Sequence, residues 1–346
     1  MKRELRELLE SAGIGDANEP DLWKRAVMLH VAGLLPPPRD LPNANREAGF
    51  HLLLLDEFGN VVHRVKCRAA DDEWFQRECD TLAALKDDPE LSGLVLQVAT
   101  AASRNLRIHV SRQLPGGSYL TAMRRQGLSD WQGSVEEILA NVHKIGERAK
   151  RTIPWLQSSS PTVSLTRALE HRFEQLEDRD IDAASIAALR EALEGVSVPC
   201  HPQHGDLWPG NIIQDEHGRW CVIDYETFGQ VEFPLYDAYH LVWSSRHATG
   251  RRGIWPWKAS RESAWQEARN EILERSVRRY GLTDRQAGAL RLAFMIELTA
   301  HRMRPGAPPA YSLGLRAGLR QLAQQLASGL DPAELAPAAR SRTATP

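Results

Sequence analysis

The spacing of apolar positions changes repeatedly along the chain, and each change predicts a different element. Residues 4–12 and 21–34 carry apolar side chains at the three- and four-residue spacing of amphipathic helices, ahead of a break at Pro36-Pro37-Pro38. The pattern then shortens. Residues 51–55, the turn Asp56-Glu57-Phe58-Gly59-Asn60 and residues 61–67 predict a β-hairpin. Helical spacing returns over 72–85, with Phe75, Cys79, Leu82 and Leu85 on one face. Two apolar runs, 94–98 and 106–111, predict strands, and they end at Gln113-Leu114-Pro115-Gly116-Gly117, a natural hinge.

Beyond that hinge the chain turns helical. Amphipathic periodicity covers 134–150, 164–177 and 182–194, then resumes at 235–245, 261–279, 284–302 and 312–328. Two short strand-like runs interrupt it, 211–214 and 220–224, joined by Asp215-Glu216-His217-Gly218. Residues 331–346 are rich in Ala, Pro, Ser, Thr and Arg and read as a frayed tail. The expected fold class is α+β, with a small β-rich lobe followed by a larger, mostly helical one.

Composition narrows the function classes. A chain of 346 residues exceeds one ordinary core, which suits two domains or a bilobal one. With 43 basic and 45 acidic residues the net charge is −2, which disfavours a nucleic-acid binder acting by phosphate neutralisation. Cys67, Cys79, Cys200 and Cys221 form no CxxC pair and no disulfide ladder, so reduced, mostly buried thiols are expected. The charged start, Met1-Lys2-Arg3-Glu4, is unlike a signal peptide, and the leucine run 52–55 is far too short to span a bilayer. A cytoplasmic location is expected.

The informative segment is His204-Gly205-Asp206-Leu207-Trp208-Pro209-Gly210-Asn211, followed by Val222-Ile223-Asp224-Tyr225-Glu226. It fits the H-x-D-L-x-x-x-N spacing of a kinase catalytic loop, with Gly in place of Arg. Phosphoryl transfer needs these residue types: a carboxylate to orient the acceptor hydroxyl and take its proton, and a carboxamide plus a second carboxylate to hold Mg²⁺ against the phosphates. The hairpin between the two elements would return Asp224 beside Asn211. Taken singly, an Asp after an apolar strand or an Asn after Pro-Gly is turn punctuation. Their joint occurrence at this spacing is what carries the reading.

On these residues the chain resembles the aminoglycoside phosphotransferase and choline kinase family, whose pattern H-G-D-[LF]-x-x-x-N, hairpin, I-D-[WY]-[ED], then D-[LA] is met by His204 to Leu207, Asn211, Ile223 to Glu226, and Asp237-Ala238. The resemblance implies a bilobal protein-kinase-like fold. It also implies Asp206 as catalytic base, Asn211 and Asp224 as Mg²⁺ ligands, and Glu226 as an accessory acid. His204 and Asp237 would support the catalytic loop. Residues 1–112 would form the nucleotide-binding lobe, with a helical extension over 1–35. Residues 113–117 would be the hinge, 118–330 the catalytic and acceptor lobe, and 331–346 a flexible tail.

For the nucleotide, ATP with GTP as an alternative, Lys66 closes the second hairpin strand and Glu78 follows twelve residues later in a helix. That matches the strand lysine and helix glutamate that pair at ATP phosphates. Glu78 is preferred over Glu73 and Asp80 because Arg77-Glu78-Cys79-Asp80-Thr81-Leu82 resembles the family's R-E-x-x-x-L helix; the secondary reading of Lys66 is an edge-blocking strand cation. No G-x-G-x-x-G precedes Lys66, and Gly13-Ile14-Gly15 is too distant. Asn43-Ala44-Asn45-Arg46 could supply amides to phosphate instead. Gln113 to Gly116 resemble the linker whose backbone reads the adenine edge, with Gln113 and Leu114 as the nucleotide contacts.

Between residues 241 and 264 stand Arg246, Arg251, Arg252, Lys258 and Arg261 against one acid, Glu262, together with Trp243, Trp255 and Trp257. A solvated basic loop with buried tryptophans is one reading. The other is an acceptor pocket, with Arg246, Arg251 and Trp243 as contacts, suited to a neutral or anionic small molecule or glycan rather than a polycation. The expected activity is ATP- and Mg²⁺-dependent phosphorylation of a small-molecule or glycan hydroxyl. Alternatives are a nucleotide-binding pseudokinase and an antibiotic-modifying phosphotransferase. A metal hydrolase on Cys200, His201 and His204 lacks a further ligand pair, and a protein kinase lacks D-F-G and A-P-E elements.

Overall fold

The computed structural model describes residues 2–14, 26–29, 50–123, 125–157, 162–173, 181, 183–231, 234–250, 259–302, 316, 319, 320, 323 and 324. They divide into two compact units, one of residues 1–159, 201–231 and 243–249, the other of 160–200, 232–242 and 250–346. The fold class is α+β and protein-kinase-like, as expected from the motifs.

The first unit opens with α1 (Lys2–Ser11) and a five-stranded antiparallel sheet: β1 (Ala26–Leu29), β2 (Phe50–Leu55), β3 (Val61–Ala69), β4 (Val98–Ala102) and β5 (Leu106–Arg112), ordered β1-β2-β3-β5-β4. Alternation separates the two faces of the sheet. Leu52, Leu54, Val65, Cys67, Ile108 and Val110 share one face and bury against Leu8 and Leu9 of α1. His51, Lys66 and His109 pair side by side across β2, β3 and β5 on the opposite face. The helix expected over 21–34 is not formed at 26–29, where Ala26 to Leu29 pair with Leu54 to His51 as β1. A four-residue apolar run has no period of its own, so the neighbouring strand decides its state.

Between β3 and β4, α2 (Glu73–Leu85) starts where Asp72 accepts a hydrogen bond from the Phe75 N–H at 2.9 Å. Its inward face is Phe75, Glu78, Cys79, Thr81, Leu82 and Leu85, so one carboxylate sits on an otherwise apolar stripe. The strand expected at 94–98 begins only at Val98, because Leu94 and Val95 are engaged by Val222 instead: the Leu94 carbonyl accepts from the Val222 N–H at 3.0 Å and Val95 forms an isolated parallel bridge to Val222. After β5 come the short α3 (Tyr119–Ala122) and the long α4 (Leu128–Thr152), which buries Trp131, Val135, Ile138, Val142, Ile145 and Ala149 at three- and four-residue steps.

In the second unit β6 (Thr162–Ser164), α5 (Leu165–Phe173), α6 (Ala183–Leu193) and β7 (Ser197–Pro199) precede the return of the chain to the first unit. There β8 (Ile212–Gln214) and β9 (Trp220–Val222) form an antiparallel hairpin. Helix α7 (Tyr236–Gly250) belongs to both units, and α8 (Ala259–Arg278) and α9 (Asp284–Arg302) complete the second. Its interior joins Phe294 of α9 to the rings of Tyr236 and Tyr239, and a buried Arg172–Glu297 ion pair at 2.9 Å ties α5 to α9.

Asn43 to Arg46, the tail 331–346 and Arg251 lie outside the described residues, as does most of 312–328, of which residues 316, 319, 320, 323 and 324 are helical. No described helix is long and apolar enough to cross a membrane. Cys67, Cys79 and Cys221 are buried thiols, Cys200 is half-buried, and none is in a disulfide.

Candidate active site

The β8–β9 hairpin sets the distance between the two motifs. Its turn is tied by Asp215, whose Oδ1 accepts from the N–H of His217 at 2.9 Å and of Arg219 at 2.8 Å, with Gly218 at φ +80 closing it. Ile212 then pairs with Val222, and the Ile223 N–H donates to the Asn211 carbonyl at 3.0 Å. Asp224 is thereby delivered beside Asn211. Asp224 has φ +67, the single positive φ of a non-glycine residue among those described. Aspartate tolerates this left-handed conformation better than most residues, and such strain concentrates at functional positions.

His204 locks the other strand of the site. Its Nδ1 accepts from the Asp206 N–H at 3.3 Å, which leaves the proton on Nε2, and Nε2 donates to the Ile223 carbonyl at 3.0 Å. One ring thus bridges the two motifs. The Thr227 hydroxyl donates to the His204 carbonyl at 2.9 Å. Gly205, at φ +80, has room for no Cβ: it would stand 2.8 Å from the Thr227 carbonyl oxygen. Asn211 Nδ2 donates to the Asp206 carbonyl at 3.0 Å and to Asp206 Oδ2 at 3.3 Å. Both side chains of the H-x-D-L-x-x-x-N loop are therefore held together, and Asn211 Oδ1 takes no part in those bonds.

Lys66 is the electrostatic centre. Its ammonium, on a side chain 8% exposed, lies 2.8 Å from Glu78 Oε2 and 3.0 Å from Asp224 Oδ1, and it also pairs with Glu226. Three N–H donors meet three carboxylates, which satisfies a buried cation fully. Arg68, two residues along β3 and so on the same face, pairs with Glu226 at 3.3 Å. Glu78 also accepts from the Tyr225 N–H at 3.2 Å, one residue past Asp224.

Burial disfavours the Lys66 ammonium, but Glu78, Asp224 and Glu226 more than offset this and raise its pKa. Burial dominates at Glu78, whose carboxyl rises above the usual range although Lys66 pulls it down. At Asp224 burial is outweighed by Lys66, and the carboxyl is held below the usual range. Counted as ionised, Lys66, Arg68, Glu78, Asp224 and Glu226 leave one net negative charge.

A hard divalent cation takes oxygen ligands, and the donors here fit one. Glu78, Asp224 and Glu226 each bring a carboxylate oxygen within 4.8 Å of the others. Asp224, at 38% side-chain exposure, is the most open of the three.

Not every expected residue joins this cluster. Gln113 follows β5, donates through Nε2 to the Leu114 carbonyl at 2.7 Å, and accepts from Arg64 Nε. Asp237 is buried in the first turn of α7, within the second unit. Trp243 is half-buried on α7; the Arg246 side chain, like Arg251, is outside what is described. The sequence reading passed over Arg68, His51, His109 and Thr227. A period-2 count from Lys66 along β3 would have found Arg68; the other three depend on strand pairing and loop packing that no local pattern encodes.

A β-lobe lysine paired to a helix glutamate, facing a loop with kinase spacing, defines a kinase-like phosphotransferase. Residues 52–287, from β2 into α9, match the model of the phosphotransferase enzyme family, and the chain belongs to that family. It is a phosphotransferase with an alcohol group as acceptor. Among solved structures, a thermostable mutant of aminoglycoside phosphotransferase APH(4)-Ia is similar at 12% identity and TM-score 0.50, over 88% of this chain and 94% of that one. Choline kinase from Cryptosporidium parvum Iowa II is similar at 11% identity and TM-score 0.50, over 92% and 96%. At such identities both likenesses speak to the fold alone. No curated protein matches the chain in sequence.

Proposed function

We propose that the protein transfers the γ-phosphoryl group of a nucleoside triphosphate, ATP with GTP as the alternative, to a hydroxyl of a small molecule or glycan, with Mg²⁺ as cofactor. The observation that carries this reading is the convergence of Lys66, Glu78, Asp224 and Glu226 on one buried point, next to an Asp206–Asn211 loop tied to Asp224 through His204. Asp224 and Asn211 would hold the cation, with Glu226 as accessory acid. When bound, Mg²⁺ would neutralise charge on the phosphates.

The chain's own residues account for the rest. Lys66 donates to the phosphates and is kept aimed by Glu78. Asp206 accepts a hydrogen bond from the acceptor hydroxyl, orients its oxygen toward phosphorus, and takes up the proton as the new O–P bond forms and the bond to the nucleoside diphosphate breaks. His204, bridging Asp206 and Ile223, holds the base and Asp224 in register. Gln113 and Leu114 meet the base edge. Trp243, Arg246 and Arg251 would favour a neutral or anionic acceptor.

The test is Mg²⁺-dependent release of nucleoside diphosphate with a mass gain of one phosphoryl group on an acceptor, screened across sugars, amino alcohols and antibiotics. Asp206→Asn should abolish it. Transfer by that variant at the wild-type rate would refute the role given to Asp206, and transfer confined to aminoglycosides would refute the acceptor class.

A further inference from the structure

We infer that Trp208 is the floor on which the acceptor lies, and that the acceptor carries a ring with an apolar C–H face, a pyranose or a cyclitol. This deepens the phosphotransfer reading and rests on it. The argument starts from burial within the catalytic loop. Asp206 is partly exposed, Leu207 is fully buried, Trp208 is 37% exposed, and Pro209 is buried again. A large aromatic side chain left in water is ordinarily unremarkable. Here it stands two residues from the carboxylate that meets the acceptor hydroxyl.

The main chain that carries the indole is fixed. The backbone N–H of Trp208 donates to the Asp206 carbonyl at 3.0 Å, closing a three-residue turn about Leu207, and the Trp208 carbonyl accepts from the backbone N–H of Asn211 at 2.9 Å. Gly210 has no Cβ, and the indole fills that space: a Cβ there would stand 2.2 Å from Cη2 and Cζ2 of Trp208. The ring therefore has one edge against the Gly210 backbone, and 37% of the residue's surface is left to solvent. Other exposed aromatics lie elsewhere: Phe58 at the β2–β3 turn, Trp74 in the first turn of α2, and Trp155 beyond α4.

Two residues of chain span at most about 7 Å, roughly the width of a sugar ring with its hydroxyls. A ring stacked on the indole would thus bring an equatorial hydroxyl within reach of the Asp206 carboxylate. Such an aromatic platform contributes area and orientation at little conformational cost, because the side chain already packs on Gly210. A flexible acyclic acceptor would gain little from it. A quaternary ammonium could also use the aromatic face, but it would be drawn equally to the surrounding carboxylates and would not need a planar surface.

The experiment measures binding directly, so it does not depend on turnover. The full chain, loaded with Mg²⁺ and a non-hydrolysable ATP analogue, is titrated with methyl α-glucopyranoside, methyl N-acetyl-β-glucosaminide, myo-inositol, glycerol and choline, with saturation-transfer NMR as readout. At least one ring probe should bind through its C–H protons, at least tenfold more weakly in Trp208→Ala, and within about threefold of wild type in Trp208→Phe. Equal nucleotide affinity in the two variants verifies that both fold. Absence of ring binding, tighter binding of glycerol or choline, or an unchanged ring affinity in Trp208→Ala would overturn the proposal. Phosphoryl transfer to the bound ring is read separately by mass; ring binding through Trp208 with no transfer supports the platform and counts against the assigned reaction.

Discussion

Lys66 of β3 and Glu78 of α2 are joined at 2.8 Å, with the carboxylate side chain only 1% exposed. A charge pair that deep persists because each partner cancels the desolvation of the other. Removing one side alone is therefore costly: Lys66→Met should lower stability by about 3–5 kcal/mol, since it strands three carboxylates around one point. Combining it with Glu78→Leu should recover much of that loss, while nucleotide binding stays absent. Chemical denaturation of the two variants, alongside nucleotide titration, checks both halves. A double variant no more stable than the single one would show that the pair is not the source of the loss.

Asp206 and Asp224 are close to Asn211 in space yet should fail differently. Asp206→Ala removes a group that acts at the transition state, so turnover should fall by orders of magnitude with nucleotide affinity nearly unchanged. Asp224→Ala removes a carboxylate from the cation-holding cluster, and Mg²⁺-dependent nucleotide binding should vanish as well. Calorimetric titration of nucleotide with and without Mg²⁺, paired with steady-state rates, distinguishes the two. Identical behaviour of the variants would mean that the roles are not divided as described.

Much of this site was legible because its motifs are local. His204 to Asn211 is one short loop, Ile223 to Glu226 follows one hairpin, and the Lys66–Glu78 separation is a strand end and one helical turn and a half. Thr227 was not legible in the same way, since its importance comes from the His204 carbonyl approaching through a folded chain. The row His51, Lys66, His109 arises only when β2, β3 and β5 align, and sequence separation hides it. The strand at Ala26 to Leu29 was misread for a related reason: with four residues, the partner strand Leu54 to His51 determines the conformation and the local period does not.

His109 should make the fold acid-sensitive. Burial, with Lys66 close by, lowers its pKa from the ordinary 6.5 to about 3, so the folded protein keeps it neutral. The unfolded chain protonates it near pH 6.5. Between these values the unfolded state binds the extra proton, and stability therefore falls as pH drops, by about 1.4 kcal/mol per pH unit from this residue. The contribution is complete above pH 6.5 and is lost towards pH 3. His109→Phe, which keeps an aromatic ring beside Phe75, should flatten the slope of stability against pH between 6 and 4. An unaltered slope would assign the acid sensitivity elsewhere.

Gly205 offers the sharpest separation between backbone and side-chain effects at the site. Its φ of +80 is a left-handed conformation that glycine adopts freely and alanine does not, and the Thr227 carbonyl and hydroxyl close off the space where a Cβ would go, at 2.8 and 2.9 Å. Gly205→Ala must either twist the loop or push Thr227 back from the His204 carbonyl that it binds. A cost of more than about 1 kcal/mol is expected, together with a fall in turnover, because Asp206 is the next residue and moves with the loop. Thr227→Ala should restore part of the lost stability in the Gly205→Ala background by making room, whereas on its own it should destabilise by removing a buried hydrogen bond. Thermal denaturation of the two singles and the double gives the coupling between the sites. Strictly additive effects would place the alanine's strain in its backbone angle rather than against Thr227.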